Sequence, residues 1–166
     1  TDYAGAGVSH YLEHLLFTDT KNKTGDEIAK FMKEQGCDIN GYTSFEQTVY
    51  LFNLPSENLK NIVPVVKELI FDCAFTDKDI EKEKNVILKE INMNVDDPGR
   101  FFQKLIFNSA YEHAMYKYPV IGYRDVFKSV TKENILHYYH KRYIPDNMAI
   151  IVVGDFNTAD VKKQIQ

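Results

Sequence analysis

Tryptophan is absent from the sequence, and cysteine occurs only twice, at Cys37 and Cys73. Two cysteines with no CxxC spacing read as small buried apolar side chains in a reducing compartment rather than as a disulfide framework. Basic residues are not in excess: 20 Lys and Arg against 24 Asp and Glu give a net charge of −4. That balance removes nucleic acid as an expected partner, and no basic run is long enough to hold a membrane surface. Long apolar runs are lacking too. The stretch "MAIIVVG" at 148–154 is far too short to cross a bilayer, so no membrane insertion is expected. There is no internal repeat and no low-complexity segment. No leader peptide is visible, but the sequence begins at Thr1 without a Met, so this does not fix the compartment. The cytoplasm is the expectation, with the periplasm or the mitochondrial matrix as alternatives.

What is present is ordinary for a globular chain. Of 166 residues, 44% are hydrophobic and 27% charged, enough for one domain with a real core. The apolar spacing predicts a first helix over 7–17 and a second over about 25–35, capped by Thr24 or Asp26 and ended by Gly36. Around Val49 and Leu51 the period changes to two, predicting strands over about 38–44 and 47–54. A helix over about 56–71 follows, with Leu59, Ile62, Val63, Val66, Leu69 and Ile70 on one face and Pro64 as a candidate kink. The longest helical pattern starts at an N-cap, Thr76, with Asp77 and Asp79 in its first turn. Its stripe is Ile80, Ile87, Leu88 and Ile91. Asp97-Pro98-Gly99 ends it and opens another helix over about 99–112, and a further one is predicted over 131–142. "NMAIIVVGDF" reads as a buried strand, and "TADVKKQIQ" as the start of a last helix. Consecutive, hairpin-like strands among helices favour an α+β fold over a doubly wound parallel sheet.

The chemistry begins at "GVSHYLEHLLF", residues 7–17. Three ionisable groups, His10, Glu13 and His14, interrupt a run whose other members, Val8, Leu12, Leu15, Leu16 and Phe17, belong in a core. At roughly 100° per residue the three project from one face of a helix. Two imidazoles four residues apart can bind one metal ion, and a carboxylate between them can take a proton from metal-bound water. The pattern is H-x-x-E-H, the reverse of the zincin H-E-x-x-H. Taken alone, the pentad is equally readable as the solvent face of an amphipathic helix.

A catalytic zinc needs a third protein ligand. His137 and His140, three residues apart, could form a second pair, but an ordinary amphipathic helix accounts for them. Glu83 and Glu90 lie nearly two turns apart on the long helix and so share a face, close to the stripe of Ile80, Ile87 and Ile91. A carboxylate at a core edge is costly without a partner. Against this, "DKDIEKEK" is rich in charge, and Glu83 also reads as one more solvated carboxylate.

The order and spacing of "AGVSHYLEHLLF", "INGYTSFEQTVYLFNL" and "IEKEKNVILKEINMNVDDP" resembles the pitrilysin/insulinase family of zinc metallopeptidases, which includes the mitochondrial processing peptidases. The resemblance covers nearly the whole chain, reaching "IPDNMAIIVVGDF", which is similar to the family's closing strand. A glutamate 76 residues after the second histidine makes the combination specific. The resemblance implies a half-domain with helices packed on one face of a mainly antiparallel sheet, here a single catalytic domain over 1–166, incomplete at both ends. It implies Zn²⁺ on His10, His14 and Glu90, with Glu13 as general base and Glu83 as an acidic residue supporting the site. It also implies that the strand around "INGYTS" borders the cleft, with Asn40, Gly41 and Tyr42 at a substrate bound by strand addition. From the residues alone, Asn40-Gly41 reads instead as a hairpin turn. The family often carries Ala where Gly41 stands.

The implied function is zinc-dependent hydrolysis of unfolded peptides. A second homologous half or a partner subunit is expected to close a chamber around the peptide. Two other functions fit parts of the pattern. One is a structural or partner-activating member of the same family. The other is an H-x-x-E-H lyase, which would complete its metal site with a cysteine.

Overall fold

The structure, a computed structural model, describes residues 3–165. Its elements in chain order are α1 (Val8–Leu15), α2 (Gly25–Glu34), β1 (Asp38–Thr43), β2 (Thr48–Asn53), α3 (Leu59–Phe71), α4 (Asp77–Asp96), α5 (Pro98–Ala110), α6 (Arg124–Lys128), α7 (Lys132–Arg142) and α8 (Thr158–Ile165). Among the described residues β1 and β2 form the only sheet, an antiparallel pair in the register Asp38↔Asn53 to Thr43↔Thr48. The architecture is α+β, as the sequence predicts.

Local chemistry explains most boundaries. Thr24 accepts from the Glu27 N–H while the Glu27 carboxylate accepts from the Thr24 N–H, a complete capping box for α2. Thr76 caps α4 at the Asp79 N–H. Asp97 ends α4 and caps α5, where Pro98 takes the first helical position without losing a needed donor. Thr131 caps α7. Pro64 lies inside α3 without breaking it, and Val65 rather than Val63 is among the buried residues of that helix.

The hairpin alternates. Ile39, Gly41 and Thr43 point inward, whereas Asn40 and Tyr42 point outward. Its inner face packs on helices, with Ile39 and Phe52 against a cluster of Ile28, Met32, Cys37, Ile62, Val65 and Leu69. A second, larger cluster is built on α1. There Tyr11, Leu12 and Leu15 are fully buried and meet Ile87, Phe127 and Ile135. Each such side chain contributes about 1.5–3 kcal/mol by leaving water. Gly7 caps α1 with φ 66°, and a Cβ there would sit 2.2 Å from the Ile121 carbonyl oxygen. The backbone crossing at residues 7 and 121–122 therefore demands glycine and fixes where α1 begins.

β1 runs through Asn40 and Gly41, as the predicted strand over 38–44 requires, so the alternative of a turn there falls; the chain reverses at 44–47, where the Ser44 N–H donates to the Gln47 carbonyl. One expectation is corrected. "NMAIIVVGDF" does not form a buried strand. Its backbone is extended at Met148, but among the described residues no strand lies beside it. Ile150, Ile151 and Val153 are 67%, 85% and 91% exposed. A strand requires a partner for its N–H and C=O groups, and an apolar pattern alone does not supply one.

Candidate active site

Helix α1 is anchored by its apolar face, and this turns its polar face toward α4 and β1. His10 and His14 lie side by side, with ring centroids 4.7 Å apart. Glu90, from the middle of α4, reaches both: its Oε2 is 3.7 Å from His10 Nε2 and 3.8 Å from His14 Nε2. One ligand atom from each of the three lies within 4.8 Å of the others, and this is the one such cluster among the described residues. A tetrahedral zinc with bonds of about 2.0–2.1 Å holds its ligand atoms about 3.3 Å apart, so modest side-chain movement fits the cluster to the ion. Two nitrogens and one carboxylate oxygen, with a fourth side open to the cleft, form a donor set suited to catalytic zinc.

Glu83, one heptad earlier on α4, accepts from or pairs with the opposite nitrogen of His14, Nδ1 to Oε2 at 3.2 Å. A proton held on Nδ1 by this carboxylate leaves the lone pair of Nε2 facing Glu90. Burial pulls the His14 pKa down, but the Glu83 hydrogen bond and the charges of Glu90, Glu83 and Glu13 outweigh it, and the net shift is upward. The same His14 contact holds the Glu83 carboxyl below its ordinary value of 4.5, against the opposing effect of burial. His10 behaves differently. Burial, and then the neighbouring His14, lower it to about 4, so its ring is neutral at neutral pH. Its Nδ1 is buried with no hydrogen-bond partner among the described residues.

Glu13 is the third member of the pentad and is only 8% exposed. Its Oε2 accepts a 2.5 Å hydrogen bond from the Thr43 hydroxyl on β1. Gly41, two residues earlier and on the same inward face, lies against the other oxygen: a Cβ there would be 3.1 Å from Glu13 Oε1 and 3.2 Å from Glu13 Cγ. Of the three residues expected at a substrate, then, Gly41 abuts the pentad. Asn40 turns back to accept from the Gly41 N–H, and Tyr42, 46% exposed, accepts from Gln47. The His10–Glu90 face opens on a cleft of about 810 Å³ whose walls include Thr43, Phe45, Phe107 and Tyr116. These four were not singled out from the sequence. The period-two spacing from Gly41 to Thr43 was the available signal for Thr43. The aromatic wall had none, because it is assembled from the hairpin loop, α5 and the turn near Tyr116.

The remaining histidines stand apart from the cluster. His137 pairs with the Tyr3 hydroxyl, and His113 is exposed beside Glu112. Cys37 and Cys73 are free and buried, and neither belongs to the His10–His14–Glu90 cluster. A lyase-type site completed by cysteine is thus not what these residues build.

An H-x-x-E-H helix whose two histidines converge with a glutamate from a second helix defines a metallopeptidase-like centre. Residues 2–124 match the family model described as Insulinase (Peptidase family M16), and residues 129–166 match that described as Peptidase M16 inactive domain. The chain belongs to the M16 family. It is 31% identical over 156 residues to an uncharacterized zinc protease of Bacillus subtilis, YmxG, covering 94% of this chain and 38% of that protein. With a second uncharacterized zinc protease of the same organism, YmfH, identity is 34% over 161 residues, 96% of this chain and 36% of the other. Among solved structures, a protease from Helicobacter pylori superposes with a TM-score of 0.93 at 29% identity, over 98% of this chain and 39% of that one. The first half of the periplasmic protease PqqL from Escherichia coli superposes at 0.85 with 25% identity, over 98% and 36%. The chain thus spans well under half the length of these relatives.

Proposed function

We propose that the chain provides the catalytic half of a zinc-dependent endopeptidase that hydrolyses bonds in unfolded peptides. The observation that carries this is the convergence of His10, His14 and Glu90, with Glu13 on the same helix face and held by β1. In this reading His10 and His14 offer Nε2, and Glu90 its carboxylate, to one zinc ion. A bound zinc supplies Lewis acidity and brings the pKa of its water to about 7. Glu83 keeps His14 in the tautomer that ligates. Glu13 takes the proton from the attacking water and returns it to the leaving amine. The outer edge of β1 offers backbone groups for an extended peptide, which grips the main chain without reading much sequence, and this brings Asn40, Gly41 and Tyr42 beside the substrate. A second homologous half or a partner subunit closes the chamber. The relatives' names as zinc proteases, and a PqqL solved both whole and as a first half, support this arrangement.

Among the described residues no helix is long and apolar enough to cross a membrane. A cytoplasmic site of action remains the proposal, and the name of the periplasmic PqqL supports the alternative. The test is metal analysis together with cleavage of an internally quenched unfolded peptide. One zinc per site and hydrolysis abolished by a chelator are expected. A zinc-replete protein that cleaves nothing would assign the chain to the structural members of the family.

A further inference from the structure

We infer that Thr43 is a positioning residue for the base: its hydroxyl fixes the Glu13 carboxylate so that Oε1 is the oxygen that collects and returns the proton. The inference rests on the assignment of Glu13 as general base. The Thr43 hydroxyl is the one hydrogen bond that the described residues give Glu13, at 2.5 Å to Oε2. A hydroxyl has a single proton, and here it is committed to the carboxylate. The 3.3 Å contact between Thr43 Oγ1 and Thr48 Oγ1 must then run from Thr48 to Thr43. The two threonines face each other across the hairpin, Thr43↔Thr48, so the chain of hydroxyls is set by strand register. With Oε2 occupied, the free oxygen is Oε1, the one beside Gly41, where the missing side chain leaves it unobstructed. A short bond to a charged acceptor is among the stronger hydrogen bonds, and a base displaced by about 1 Å loses on the order of 10²-fold in rate.

Thr43→Val removes the hydroxyl while keeping shape and strand preference, and Thr43→Ser keeps the hydroxyl without the methyl. In the full chain, assayed on a quenched unfolded peptide, T43V is expected to lower kcat by roughly 10- to 100-fold, with KM within about twofold and zinc content unchanged. T43S is expected to stay within about threefold of wild type. Wild-type kcat in T43V overturns the inference, as does a T43S that falls as far as T43V, since the methyl would then be what matters. If the wild type cleaves no peptide, the peptidase proposal fails separately. The position of Glu13 in crystal structures then decides: a carboxylate ordered on Thr43 in the wild type and displaced in T43V supports the inference, and an unmoved one overturns it.

Discussion

Glu90 and Glu13 are both carboxylates at the polar face of α1, and their surroundings differ. Glu90 Oε2 sits nearly equidistant from His10 and His14 Nε2, at 3.7 and 3.8 Å, which suits a ligand. Glu13 is turned toward β1 and held there by a hydroxyl, which suits a group that must exchange a proton. Two substitutions separate these tasks. Glu90→Gln should lose most of the zinc, because a neutral amide is a much weaker ligand; a full equivalent retained by metal analysis removes Glu90 from the site. Glu13→Gln should keep the metal and lower turnover by about 10²–10⁴-fold, the usual weight of general-base catalysis. Glu83 contacts His14 on the nitrogen away from Glu90. Glu83→Gln should weaken zinc binding by about 10–100-fold, measurable by competition with a chelator, and unchanged affinity would leave Glu83 a mere neighbour.

Elements, rather than single residues, bring these groups together, and their stability can be probed without the chemistry. The 18–24 connection between α1 and α2 is tied to α3 through Glu68, which accepts from Thr20 and pairs with Lys23. These partners, Lys23 first, hold the Glu68 carboxyl below its ordinary 4.5. A depressed folded value means that the contribution is full above the unfolded value and is lost as pH falls through the folded one. Denaturation midpoints of wild type and Glu68→Gln should therefore differ at neutral pH and converge in acid, as the pH falls below the ordinary carboxylate value and on through the lowered folded one. Equal midpoints throughout would show that the pair adds nothing. At the start of α1, Gly7→Ala should cost upward of about 1 kcal/mol from the left-handed backbone alone, with the clash at the Ile121 carbonyl in addition. Capped, amphipathic helices such as α2 and α4 were legible in the sequence because Thr24 and Thr76 state their own boundaries. The pentad was legible because its spacing is local. The Asn40-Gly41 step was legible as strand from the period-two spacing around it, although the dipeptide alone has turn propensity, which is overridden as both residues pair with Leu51 and Tyr50. Residues 147–156 misled: their pattern is that of a strand, but strand formation depends on a neighbour that local sequence does not encode. The contact of Thr43 with Glu13 spans 30 positions and becomes visible only after the hairpin folds over α1.

At the scale of the molecule, two histidines of one helix meet a glutamate of a second helix in a cluster that could hold a metal ion, and a hairpin packs beside them. All three are fixed by the same core. Leu15, fully buried beneath the pentad, illustrates the coupling: Leu15→Ala should destabilise the fold by about 2–5 kcal/mol and loosen the zinc site with it, seen as a lower thermal midpoint and weaker metal retention together. The central claim is that these helices and this hairpin form a zinc centre in which Glu13 activates water. Its most direct test is paired zinc analysis and quenched-peptide hydrolysis on wild type and Glu13→Gln. The account predicts one zinc per chain in both proteins, with hydrolysis by the wild type and almost none by the variant. Equal hydrolysis by both, or a wild type that retains no zinc, would contradict it.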